Sequence, residues 1–183
     1  MLIELLIILF VVFVIVFVLI YNNLVSLKAR IDNAWAQIDV QLKKRYDLVP
    51  NLVETVKGYA KHEKEIFENV TKARVAALGA TSPSQKAKAE SEFSAALKSI
   101  FAVAENYPQL QASENFRLLQ EQLDGIESKI AYTRQFYNDS VLEYNTKIAQ
   151  IPYSFIASMF GFGPREYFKI EEKERENVKV SFN

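Results

Sequence analysis

The sequence contains no cysteine and a single histidine, His62. Disulfides, thiolate metal sites and cysteine nucleophiles are thereby excluded, and no second histidine exists to complete an H-E-x-x-H zinc motif, whose second position is Ile66. Glycine and proline number five each in 183 residues, few enough to point to long helices broken at a small number of joints. An excess of one charge is also missing, because 22 Lys and Arg balance 22 Asp and Glu. A nucleic-acid surface requires clustered basic charge, so no nucleic-acid partner is expected. No P-loop, dinucleotide fingerprint or G-x-S-x-G elbow occurs, and no cofactor is expected.

Polar side chains are absent altogether from residues 5–20, LLIILFVVFVIVFVLI. With residues 1–3 and Tyr21 the apolar stretch reaches about twenty residues, roughly 30 Å of helix and enough to cross a bilayer core. Leu5, Ile8, Val12, Val16 and Ile20 mark this expected anchor, with membrane lipid as its partner. A cleaved signal peptide would carry a basic n-region and a small-x-small site. Here the run leads straight into Tyr21-Asn22-Asn23. Lys28, Arg30, Lys43, Lys44 and Arg45 all follow the span and no basic side chain precedes it. The positive-inside rule then puts the N-terminus outside and the remaining chain in the cytoplasm.

Beyond the anchor the apolar residues step by three and four. Leu24, Leu27, Ile31, Ala34 with Trp35, Ile38, Leu42, Leu48, Leu52, Val56, Tyr59, Ile66 and Val70 form one stripe, which predicts helix over about 23–78. Pro50 interrupts the run, and a kink or short break is expected at 47–50. Ser82 followed by Pro83 and Gln85 reads as a helix start, giving a second helix over 83–105 that ends before Pro108. Ser113 opens a third helix over 113–151, and Pro152 closes it. Its stripe contains Phe116, Leu119, Leu123, Ile126, Ile130, Tyr137, Val141, Tyr144 and Ile148. Residues 152–183 read as a tail, first aromatic, then charged at 171–176, then strand-like at 178–182.

The stretch AWAQIDVQLKKRYDLVPNLVETVKGYAKHE, residues 34–63, mixes charge and hydrophobe densely enough to raise the question of an active site. His62 lacks a partner for acid–base or nucleophilic work, and the Glu and Lys residues near it alternate at helical neighbour spacings, the pattern of a solvated face. Arg45, close to the apolar line, and Asn138 and Asn145, each after a tyrosine (Tyr137, Tyr144), are polar residues on core stripes. Such residues cost stability and fix helix register or partner. Trp35, Arg45, Pro50, Tyr137, Asn138, Tyr144, Asn145, Phe160 and Phe162 are therefore expected to act in packing and interaction, not catalysis.

The strings AWAQIDVQLKKR, DLVPNLVETVKGY and HE, together with Glu105, Tyr107-Pro108, Glu114-Asn115-Phe116, Tyr137-Asn138, Tyr144-Asn145, Phe160-Gly161-Phe162, Tyr167-Phe168, Arg175 and Val180-Ser181-Phe182, resemble the LemA family over nearly the whole chain. Val178 departs from the Pro often found in such tails. The resemblance implies a bacterial membrane protein anchored near its N-terminus and carrying a helical bundle. It implies only loose associations with membrane-protein quality control and envelope homeostasis, and no agreed activity.

The expected fold is all-α: a transmembrane helix at 1–22, an elongated antiparallel bundle of long helices at 23–151, and a short irregular tail at 152–183 covered by the bundle, a neighbouring subunit or the membrane surface. The expected function is a non-enzymatic, self-associating scaffold or adaptor at the bacterial inner membrane. The alternative is a regulatory partner of a membrane protease or signalling protein. An enzyme with a carboxylate site is a third possibility, and it would require convergent acids in a pocket.

Overall fold

The computed structural model describes residues 1–169. The charged run at 171–176, the alternating residues at 178–182 with Val178, and Arg175 lie outside the described residues. Within them the chain forms six helices and no strand: α1 Leu2–Lys57, α2 Lys64–Gly79, α3 Pro83–Glu105, α4 Pro108–Gln111, α5 Glu114–Ala149 and α6 Tyr153–Phe160. The fold is all-α.

The chain divides into two compact units. The first joins Met1–Gln37 to Thr133–Tyr167, and the second joins Ile38–Tyr132 to Phe168 and Lys169. In the first unit α1 and α5 run antiparallel, since Arg30 meets Glu143 and Trp35 meets Tyr137. Leu24, Leu27, Ile31 and Ala34 of α1 are buried there, as are Tyr137, Val141 and Tyr144 of α5.

In the second unit α1, α2, α3 and α5 alternate in direction. The α1–α2 reversal brings Lys57 over the Phe67 ring and Arg74 to Tyr46. Asp39 and Arg45 of α1 meet Lys86 and Glu90 of α3 in the same order, so these two helices are parallel. Ile38, Leu42, Leu52 and Val56 of α1 fill the core together with Val70, Phe93, Ile100 and Leu110.

Local chemistry explains the helix ends. Ser82 caps α3, its Oγ accepting from the Gln85 N–H at 3.2 Å, with Pro83 in the first turn. The Gln85 side chain reaches back to the Thr81 N–H at 3.5 Å, one residue earlier than a standard capping box.

Of the kink or short break expected at 47–50, the break is not there. Helix α1 is continuous across Pro50, and the interruption falls at 58–63. Two causes are visible. Pro50 faces solvent, so its ring displaces no core side chain. Its missing N–H frees the carbonyl of Tyr46, four residues back, and Arg74 Nε donates to that oxygen at 2.7 Å. The helix stops instead after Lys57, where Gly58 lowers helix propensity. The buried stripe shifts accordingly. Tyr46 and Val49 are buried, Leu48 is only half-buried and Tyr59 is exposed.

Two short helices were not anticipated from sequence. Helix α4 fills part of the link between α3 and α5, and α6 makes the first part of the expected tail regular.

Candidate functional site

Two polar constellations and one apolar surface stand out from the bundle. The first constellation lies in the second unit. Arg45 is 6 % exposed and Glu90 is 1 % exposed. Arg45 Nη1 meets Glu90 Oε2 at 3.1 Å, and its Nη2 reaches Ser94 Oγ at 2.9 Å and Glu127 Oε2 at 3.1 Å. The guanidinium also lies 5.3 Å from the centroid of Phe93, whose ring meets Tyr46 edge-on. The Tyr46 hydroxyl donates to Glu90 Oε1. One turn away, buried Lys86 pairs with Asp39.

This cluster ties α1, α3 and α5 together. Both Glu90 oxygens already have partners, and almost none of its surface is open to a substrate. It is a register lock: removing Arg45 would isolate the Glu90 charge in the core at a cost of about 3–5 kcal/mol, whereas Arg45 has Glu127 as a second acid partner. Among the described residues no three His, Cys, Asp or Glu side chains converge as a cation site requires.

The second constellation lies in the first unit and holds residues 163–166 against α5 and α1. Tyr144 donates its hydroxyl to the Gly163 carbonyl at 3.1 Å, and Tyr137 donates to the Glu166 carbonyl at 2.8 Å. Between them the Asn145 amide takes both backbone groups of Arg165. Its Oδ1 accepts from the N–H and its Nδ2 donates to the carbonyl, each at 2.9 Å. The Arg165 guanidinium then pairs with Asp32 of α1 at 2.7 Å. Burial pushes the Tyr137 and Tyr144 phenols above their ordinary range, and the Arg165 charge opposes part of that rise. Both tyrosines are therefore held as neutral donors.

The strap begins at a reversal after α6. Gly161 adopts a left-handed conformation, φ 70°, where a Cβ would be strained. The following N–H, that of Phe162, donates to the Ala157 carbonyl at 2.9 Å, closing the helix end. The turn returns Phe162 to α1, with its ring 5.9 Å from Tyr21. Phe160 lies 4.8 Å from Tyr21 and 5.9 Å from Phe17. Ile156 and Ala157 are buried against Ile20 and Leu24.

The apolar surface is the first part of α1. Leu5, Ile8, Val12 and Val16 are exposed, whereas Ile20 is covered by α6. Helix α1 alone among the described helices is long and apolar enough to cross a membrane. So large a contiguous apolar surface belongs in lipid, which gives the protein a membrane location.

The residues singled out from sequence thus separate. Tyr137, Tyr144 and Asn145 meet at the strap, and Phe160 and Phe162 meet at the Tyr21 ring. Arg45 belongs to the buried lock. Asn138 is half-buried on α5. Trp35 is half-buried and not core, its ring 5.4 Å from that of Tyr137. His62 is exposed in the link between α1 and α2. Sequence reasoning missed Glu90, Glu127, Arg74 and Arg165. Glu90 sits in a run, AKAESEF, that reads as a solvated face, and only the three-dimensional neighbour Arg45 reveals its burial.

An apolar helix leading into an all-helical domain defines a membrane-associated helical protein. Residues 34–182 match the LemA family, and the chain belongs to it. It is 25% identical over 175 residues to magnetosome proteins MamQ 1 and MamQ 2 of Paramagnetospirillum magneticum. It is 25% identical over 174 residues to magnetosome protein MamQ of Magnetospirillum gryphiswaldense. These matches cover 81% of this chain and 64% of each relative, so the chain spans just under two thirds of the proteins it resembles.

Proposed function

We propose that this protein is a non-enzymatic, single-pass scaffold or adaptor of the bacterial cytoplasmic membrane that associates with copies of itself. The observation that carries the reading is the use made of its charged interior. The ionisable groups buried in the second unit are consumed in packing, with Arg45, Glu90 and Lys86 each held by a partner on another helix. Such a core specifies which helices meet, and its buried acid, Glu90, is already bonded to Arg45 and Tyr46. The family match and the three magnetosome relatives support the membrane-associated part of this reading. Basic residues after the span favour a cytoplasmic domain.

Particle mass of the full chain in mild detergent, with and without cross-linking, tests the scaffold reading. Discrete oligomers formed by the purified chain alone are expected. A monomer at every concentration would overturn self-association, and a monomer that shifts only when a second protein is added would establish the regulatory alternative. Protease treatment of inverted vesicles tests the orientation. Digestion of the domain is expected, and its protection would place it on the opposite side.

A further inference from the structure

Helix α6 covers one side of α1 and leaves its own opposite side bare. Ile156 and Ala157 face Ile20 and Leu24, while Phe155 is 67% exposed and Met159 70%; Phe160, which also touches α1, is 47% exposed. Ile151, at the entrance to the helix, is 77% exposed. The helix itself, YSFIASMF, contains no charged residue. A surface of this kind in water would be a liability.

Its position identifies what covers it. Phe160 touches Phe17 and Tyr21, within the last two turns of the apolar run. The bare side of α6 is therefore continuous with the lipid-facing side of α1, where Phe13 is 64% exposed and packs beside Phe17 at 6.4 Å. The neighbouring groups are those that suit a membrane boundary. Tyr21 and Tyr153 pack against the buried contact between α1 and α6, and the Lys147 ammonium lies 4.8 Å from the Tyr153 ring centroid. Amphipathic aromatics and snorkelling lysines concentrate at the level of lipid headgroups.

Chain path completes the picture. Helix α5 runs toward the apolar end of α1, α6 forms the tip, and Gly161 reverses the chain into the strap held by Tyr144, Asn145 and Tyr137. We infer that α6 is a second membrane contact, a tip that sinks Ile151, Phe155, Met159 and Phe160 into the boundary between headgroups and acyl chains beside the transmembrane run. This inference rests on the membrane location of α1 and not on self-association.

The absence of cysteine allows a clean test. Full-length protein carrying Met159→Cys with a nitroxide label is reconstituted in phosphatidylcholine–phosphatidylglycerol vesicles, beside Val12→Cys and the exposed-site control Glu121→Cys. Collisions with oxygen and with a water-soluble nickel complex report depth. The label at 159 is expected to favour oxygen, at a depth of roughly 5–10 Å, shallower than the label at 12, while the control favours nickel. A label at 12 in lipid with one at 159 in water would overturn the tip alone, and a label at 12 outside lipid would overturn the anchor with it. Shielding of 159 from both reagents, with spin–spin broadening that vanishes on dilution with unlabelled chain, would assign the surface to a second copy and equally overturn the inference. Phe155→Ser with Phe160→Ser should move the label at 159 at least several-fold toward nickel while leaving helix content unchanged; an unmoved label contradicts the tip.

Discussion

Arg74 donates to the backbone carbonyl of Tyr46, the oxygen that Pro50 leaves without its helical partner. A side chain on α2 thereby repairs a defect in α1 and allows the helix to continue to Lys57. Loss of the donor should cost roughly 1–2 kcal/mol in Arg74→Met, because a half-buried acceptor is left unmatched. Pro50→Ala returns an N–H to the same carbonyl, so Arg74→Met should cost about 1 kcal/mol less in that background. Chemical unfolding of the full chain in mild detergent, followed by circular dichroism, measures the four corners of this cycle. Equal costs in both backgrounds would remove the repair role.

The buried lock gives a sharper contrast. Arg45→Ala should lose about 3–5 kcal/mol, since it strands the Glu90 charge in the core, and Glu90→Ala should lose less, because Arg45 keeps Glu127 and Ser94. Replacing both with apolar residues, Arg45→Met with Glu90→Leu, should recover most of that loss. A double variant as unstable as the sum of the singles would contradict the view that stranded charge is the main cost.

Trp35 and His62 set the scale for the opening stretch. Trp35 is half-buried beside Tyr137, so Trp35→Ala should cost about 2 kcal/mol, less than the 3–5 kcal/mol expected of a fully buried aromatic. His62→Ala should change stability by less than about 0.5 kcal/mol, as at an ordinary surface position. A larger effect at His62 than at Trp35 in the same unfolding assay would reverse the assignment.

The two strap tyrosines predict an alkaline limit. Their phenols sit above the ordinary value of 10.0, chiefly through burial. The unfolded chain therefore loses these protons first. The stability contributed by the neutral phenols is whole below pH 10, begins to fall as unfolded tyrosine ionises, and is lost as pH rises through the folded values. Melting temperature should decline across that window, and Tyr144→Phe should flatten the decline. An identical slope in the variant would show that Tyr144 titrates like exposed tyrosine.

Much of this was legible in the chain itself. The period of three and four located the long helices, and Ser82-Pro83 marked the start of α3 within its first turn. Arg45 could be identified as polar on an apolar line, because its neighbours on the stripe are close in sequence. What escaped depends on distant residues. Continuity at Pro50 needs Arg74, and burial of Glu90 needs Arg45. The strap needs Asn145 to meet Arg165 across the turn at Gly161. Gly58 is a local signal for the helix end, yet Tyr59 and Ile66 carry the apolar spacing past it.

The Arg45 cluster also constrains how sequences of this fold can diverge. Glu90 accepts from both Arg45 and Tyr46, so no one of these positions is free to drift alone. A lineage that loses the arginine at 45 strands the acid at 90, and one that loses the acid leaves Arg45 to Glu127 and Ser94 alone. Positions 45, 46 and 90 should therefore vary together across relatives, with whole ionic sets exchanged for whole apolar sets and mixed sets rare.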